Sequence, residues 1–220
     1  MTHLSKKKIR SLMSKVLSEL SDQLVEAESS SVCEKVLSLP EWRKCKNVCL
    51  YMSLPQMEIR THELVHQALK QGKNVFLPKC EGRHTMSMYQ VYNTNHLIKN
   101  KWQIPEPDGL SPKVMDDEIY CDLIIMPGVA FDSNLARLGH GRGYYDDFIH
   151  RYKAWCSQKS SRCDIYKVGI CLSKQVIPNN EIPMNPLDEF LDSLITPQNI
   201  YQRHYNAQGK TFTKLQNIEI

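Results

Sequence analysis

Apolar residues recur at helical spacing near the start of the chain. Leu4, Ile9, Leu12, Met13, Val16, Leu17, Leu20 and Leu24 form one stripe, which predicts a helix within residues 4–28. The run Ser29-Ser30-Ser31 predicts a break, and a second, short helix from Val32 to Leu39 stops before Pro40. The pattern then changes to apolar runs of strand length. Residues 47–52, carrying Val48, Cys49, Leu50 and Tyr51, predict a buried strand. Thr61 stands where a helix to Gln71 needs a cap, and Gly72 where it needs a stop. Val75-Phe76-Leu77 predicts the next strand, ended by Pro78.

Strand, helix, strand is a βαβ unit, and its continuous apolar strands suit a parallel sheet covered on both faces. Met86 to Tyr92 alternates like an edge strand, and residues 122–126 form another buried one ended by Pro127-Gly128. A short helix is expected from Tyr144, a polar surface loop over 153–164, and strands at 166–172 and 193–195. The expected fold is a single α/β domain over residues 1–202, Rossmann-like, with a mostly parallel central sheet flanked by helices. Residues 203–220 are polar and predict a loose tail.

Composition narrows the function classes. At 220 residues, 41% apolar and 24% charged, the chain has ordinary globular composition and no run long enough to span a membrane. Its net charge of +4 suits a small anionic ligand and does not call for nucleic acid. The basic start (Lys6, Lys7, Lys8, Arg10, Lys15) has no aromatic interleaving for base stacking and no apolar segment behind it to make a secretory signal. The eight cysteines are irregularly spaced with no C-x-x-C, which reads as reduced, mostly buried thiols in a cytosolic protein. A mitochondrial form stays open, because the basic start is amphipathic.

Glycine usage changes the picture more. Only nine glycines occur, yet three fall in Gly139-His140-Gly141-Arg142-Gly143. Such clustering marks a backbone conformation or close approach that other residues resist. The loop is neither a dinucleotide fingerprint nor a Walker loop. It still suits phosphates, with convergent N–H groups, a helix to follow, and Arg137, Arg142 and His140 nearby; a tight turn with solvated arginines is the plain alternative. Asp146 is a candidate Mg²⁺ ligand or simply a favourable charge at a helix start. Asp188 and Asp192 stand four apart, spaced to share a side. His62-Glu63-Leu64-Val65-His66 spells the zinc-hydrolase pattern H-E-x-x-H. No third ligand is evident, and exposed histidines on an amphipathic helix are the better reading.

The ensemble resembles the 5-formyltetrahydrofolate cyclo-ligase (5,10-methenyltetrahydrofolate synthetase) family. Residues 122–132 (DLIIMPGVAFD) and 137–146 (RLGHGRGYYD) are similar to its signature. Lys6-x-x-Ile9-Arg10, the Glu58-Ile59-x-Thr61 segment, the Trp102 to Pro107 turn, Val168 to Gln175 and Pro183 to Thr196 follow its order across the chain. The resemblance implies cyclisation of 5-formyltetrahydrofolate to 5,10-methenyltetrahydrofolate with ATP as co-substrate and Mg²⁺ as cofactor, by phosphorylation of the formyl oxygen and attack by N10.

By the same resemblance, Lys6, Arg10, Arg137, Gly139, His140, Gly141, Arg142, Gly143, Tyr144 and Tyr145 bind ATP. Arg142 and Tyr144 would be catalytic, Glu58, Trp102 and Tyr144 would line the folate site, and Asp146 and Asp188 would hold the metal. His140 and Arg142 stand where relatives differ among themselves. The implied protein is a monomer acting on small molecules, with no nucleic acid or membrane partner. A zinc hydrolase and a non-catalytic folate- or nucleotide-binding homologue are the alternatives.

Overall fold

The computed structural model describes residues 4–116, 118–159, 164–205 and 211–216. Helix α1 (Lys6–Ser18) starts at Ser5, whose hydroxyl accepts the Lys8 N–H at 3.3 Å, and buries Ile9, Met13 and Leu17. The apolar stripe does not continue as one helix. Ser21 caps a second helix, α2 (Asp22–Ser38), by accepting the Leu24 N–H at 3.2 Å. The serine run, expected to break the chain, lies inside α2. There Ser29 Oγ donates to the Val25 carbonyl at 2.6 Å and accepts the Arg60 N–H at 2.9 Å, so the side chain that favours turns is engaged within the helix and across to a neighbour. Pro40 occupies the first turn of α3 (Pro40–Lys44), where its missing N–H costs nothing.

The βαβ unit is present as β1 (Asn47–Cys49), α4 (His62–Lys70) and β2 (Asn74–Cys80), the last running through Pro78 rather than ending there. β3 (Met86–Val91) pairs antiparallel with β2 and forms the sheet edge. A small ribbon of β4 (Ile98–Lys99) and β5 (Pro105–Glu106) follows, then β6 (Leu123–Met126) and a second ribbon of β7 (Ala130–Phe131) and β8 (Arg137–Leu138). Helix α5 (Tyr144–Gln158) is longer than expected and takes in half of the stretch read as a surface loop. Its inward residues Phe148, Ile149, Tyr152 and Cys156 supply the periodicity that its many polar side chains obscure. The chain ends in β9 (Tyr166–Ile170), β10 (Ser193–Ile195), β11 (Ile200–Tyr205) and β12 (Thr211–Gln216).

The main sheet has the order β12-β11-β10-β9-β6-β1-β2-β3. Strands β10, β9, β6, β1 and β2 are mutually parallel, and both edges are antiparallel. The boundary expected at residue 202 therefore falls inside β11, and residues 203–205 and 211–216 belong to an edge hairpin instead of a loose tail. Backbone pairing needs no apolar pattern, so a polar edge hairpin is hard to see in sequence.

Alternation along each strand divides the core into two layers. Val48, Val75, Leu77, Leu123, Ile125 and Val168 face the layer that holds Ile9, Met13, Val32, Leu64 and Val65. Cys49, Phe76, Ile124 and Met126 face Phe148, Ile149 and Tyr152. Burial on both faces explains why the central strands read as unbroken apolar runs. Cys33, Cys45, Cys49, Cys80, Cys121 and Cys171 are free thiols, as expected, but Cys156 is joined in a disulfide. Cys163 lies outside the described residues.

The topology also sets where a ligand can go. From β1 the chain moves to β2 and β3 on one side, then returns to β6 on the other. The connections that leave the paired strands β1 and β6 thus run to opposite sides, and in open α/β sheets the crevice beyond the carboxyl ends at such a point receives ligands.

Candidate functional site

The segments that leave the carboxyl ends of β1, β2 and β6 meet at one cleft with a cavity of about 620 Å³. Its phosphate-sized corner is built by the glycine loop between β8 and α5. Gly141 has φ +102° and Gly143, which caps α5, has φ +73°, both in the left-handed region that favours glycine. A Cβ on Gly139 would lie 2.8 Å from an Arg137 Nη, and one on Gly141 would lie 3.3 Å from the Arg10 guanidinium carbon. The loop is glycine-rich because it turns sharply while running against two arginines.

Arg10, on α1, donates from Nε to the Gly139 carbonyl at 2.7 Å. Burial holds its pKa below the ordinary arginine value, with Asp188 opposing that shift. Arg137 is almost wholly enclosed. Its Nη2 donates to both carboxylate oxygens of Asp146 at 3.0 and 2.9 Å, its Nη1 to the Pro127 carbonyl at 3.3 Å, and its Cζ lies 5.7 Å from the centre of the Tyr145 ring. Its Nε is buried without a hydrogen-bond partner among the described residues. Lys6 Nζ meets Asp188 Oδ2 at 2.5 Å, and the same oxygen accepts the Asn185 N–H at 2.7 Å. The Glu189 N–H donates to Asp146 at 3.1 Å, so the carboxylates of residues 146 and 188, far apart in sequence, come to one rim of the cleft.

Glu58 is buried in the wall of the same cleft. Its Oε2 accepts the Leu54 N–H at 3.0 Å and its Oε1 contacts His140 Nε2 at 3.2 Å. Tyr51 and Tyr145 flank it; burial first, and the Glu58 charge second, hold both phenols well above their ordinary range and therefore neutral. Tyr144 donates to the Gly82 carbonyl at 3.1 Å, while the Arg142 carbonyl contacts His84 Nδ1 at 3.0 Å with the Arg142 side chain free in solvent. The turn between β2 and β3 is thereby tied to the glycine loop. Trp102, half-exposed under Lys101 Nζ at 4.4 Å, also borders the cleft.

Every site residue expected from the sequence borders this cleft. Cys80, Ile104 and Glu106 border it too and were not anticipated. Glu106 lies within the Trp102 to Pro107 turn already singled out, so its position had a signal; Cys80 had none. Burial and then the Glu106 charge raise the Cys80 thiol, which marks it as an uncharged wall residue. His62, Glu63 and His66 lie elsewhere, on the solvent face of α4, while Leu64, Val65 and Ala68 face inward. Glu63 accepts a hydrogen bond from Gln67, and no group of three metal-ligating side chains occurs among the described residues. No helix among them is long and apolar enough to cross a membrane.

Residues 2–197 match the 5-formyltetrahydrofolate cyclo-ligase family. A Schizosaccharomyces pombe protein named as a probable 5-formyltetrahydrofolate cyclo-ligase is 53% identical over 90% of this chain and 97% of its own length. An Arabidopsis thaliana relative named as the mitochondrial cyclo-ligase is 29% identical over 89% of this chain and 75% of its own. Among solved structures, the Aquifex aeolicus 5,10-methenyltetrahydrofolate synthetase superposes with a TM-score of 0.72 at 32% identity, covering 90% of this chain and 93% of that one. The family match over nearly the whole chain and the 53% identical relative show that the chain belongs to the 5-formyltetrahydrofolate cyclo-ligase family.

Proposed function

We propose that this enzyme converts 5-formyltetrahydrofolate and ATP into 5,10-methenyltetrahydrofolate, ADP and phosphate. An N-formyl oxygen is a poor leaving group. Transfer of the γ-phosphoryl to that oxygen makes it a good one, N10 closes the ring, and phosphate departs. Such a transfer depends chiefly on positioning and on stabilising charge. The observation that carries the reading is a single cleft lined by Lys6, Arg10, Arg142 and the glycine loop together with the buried carboxylate of Glu58.

In this reading the loop backbone from Gly139 to Tyr145, with Lys6, Arg10, Arg137, His140 and Arg142, faces ATP, and Arg142 and Tyr144 are catalytic. Glu58, Trp102 and Tyr144 face the folate. An ionised carboxylate only accepts hydrogen bonds, which matches the N–H groups of a pterin. Asp146 and Asp188 would hold Mg²⁺. Their oxygen donors suit a hard cation that takes one or two carboxylates together with substrate phosphates. When bound, the ion would offset phosphate charge; Arg137 and Lys6 balance these carboxylates in its absence.

A cytosolic, monomeric enzyme with small-molecule partners belongs to the same proposal; six free thiols support that compartment, and the disulfide at Cys156 counts against it. The test is direct. Purified protein with ATP, Mg²⁺ and 5-formyltetrahydrofolate is expected to develop the near-ultraviolet absorbance of the methenyl product. Folded protein that gives no such signal refutes the activity.

A further inference from the structure

Glu58 is held by two donors of different kinds. The Leu54 N–H on Oε2 is a backbone group four residues away and has no freedom to leave. The donor on Oε1, His140 Nε2, is a side chain on the glycine loop, 82 residues distant in sequence. The Glu58 side chain is 7% exposed and that of His140 is 54% exposed. The pair therefore joins a fixed, buried acceptor to a ring that is half in solvent, on a residue flanked by Gly139 and by Gly141 at φ +102°. Because the carboxylate can only accept, Nε2 must carry a hydrogen in this contact.

We infer that His140 is a displaceable stand-in for a substrate N–H donor on Glu58 and thereby couples the two halves of the cleft. Leaving Oε1 bare inside the protein costs more than the net strength of the hydrogen bond that fills it. His140 meets that need in the free enzyme. A ligand whose N–H groups reach Glu58 must take its place. The released imidazole then swings on its glycine hinges toward the loop face where Lys6, Arg10 and Arg142 gather, and adds a donor for an anionic phosphate. Folate binding thus strengthens nucleotide binding, and by linkage nucleotide strengthens folate binding by the same factor. Here His140 acts as a positioning residue that couples the two ligands. The inference rests on the proposed pairing of a pterin with Glu58 and of ATP with the glycine loop.

The experiment compares full-length wild type with His140→Ala and His140→Gln. Titration calorimetry gives the Kd of 5-formyltetrahydrofolate alone, and the Kd of a non-hydrolysable ATP analogue with Mg²⁺ in the presence and absence of saturating 5-formyltetrahydrofolate. In wild type the folate is expected to tighten analogue binding by about fivefold or more, the lower range of typical coupling. His140→Ala is expected to bind folate alone several-fold tighter and to show no coupling. His140→Gln retains an N–H for Glu58 but no imidazole, so its folate affinity stays near wild type. Weaker folate binding by His140→Ala would overturn the inference, because it would make the ring a partner of the substrate. Coupling that persists in His140→Ala would overturn it equally. A wild type that binds folate but forms no methenyl product refutes the proposed activity, a separate outcome read from absorbance.

Discussion

At the scale of single residues, the glycine loop makes the sharpest demands. Gly141→Ala forces a side chain into the left-handed region and against the Arg10 guanidinium. Such strain costs about 1–3 kcal/mol. Urea unfolding is expected to report that loss, with a higher KM for ATP; a variant as stable as wild type would mean that the loop relaxes freely. Arg142 presents its side chain to solvent, and among the described residues its hydrogen-bond contact is made by its carbonyl, to His84. Arg142→Ala is therefore expected to leave stability unchanged and to raise the KM for ATP by about tenfold, the worth of one charge-assisted hydrogen bond. Equal increases in the KM values for ATP and folate would count against a phosphate role. Asp188→Asn weakens the pairing with Lys6 and removes a carboxylate from the rim. Activity titrated against Mg²⁺ should show a higher requirement, and an unchanged curve rejects Asp188 as a ligand.

Elements hold these residues at the right separations. The turn between β2 and β3 reaches the glycine loop through Gly82 and His84, and Glu81 anchors its base. Ser87 donates to Glu81 at 2.7 Å and Tyr89 donates to its other oxygen, with Lys113 nearby. Burial acts to raise the Glu81 pKa, but hydrogen bonds from Tyr89 and Ser87 and the charges of Lys113 and Arg151 outweigh it, and the net shift is downward. Tyr89 is pushed up to about 12, chiefly by its bond to Glu81. A carboxylate with a depressed folded-state pKa contributes its full stability above the unfolded value and loses it as pH falls through the folded one. The thermal midpoint of Glu81→Gln should therefore trail wild type above the ordinary glutamate pKa of about 4.3 and converge on it as pH falls below that value. A constant gap would assign the role of Glu81 to packing.

Elements also show where pattern was legible. The βαβ unit, the β3 edge and the strands β6, β9 and β10 were readable because burial on one or both faces leaves a periodic or continuous apolar signature. The break at residues 19–21 was not, since the apolar stripe continues across it and only the Ser21 cap divides α1 from α2. The serine run misled for the opposite reason: its turn-forming hydroxyl is satisfied by Val25 and Arg60, a partner 31 residues away.

Over the whole molecule, the sheet extends past its parallel centre. Ile200 is buried, and the Arg203 backbone N–H and side chain donate to the carbonyls of Asp192 and Leu191 at 2.9 and 2.6 Å. Deletion of residues 200–220 would uncover the edge of β10 and loosen the segment that carries Asp188. Thermal unfolding should record a lower Tm, by about 2–4 °C for each kcal/mol lost in a chain of this size. An unaltered Tm would show that the hairpin adds nothing to the fold.

By itself, the sequence determined the α/β class and the parallel centre of the sheet, and its ordered motifs picked out residues that line one cleft. Apolar periodicity reports burial, and the motifs carry a recognisable order of residue types along the chain. Tertiary structure alone decided how those residues pair. It joined Arg137 to Asp146, Lys6 to Asp188 and His140 to Glu58, contacts across as many as 182 residues that no local pattern encodes. It also placed β11 and β12 on the sheet, because strand pairing at an edge is made by backbone groups that every residue possesses.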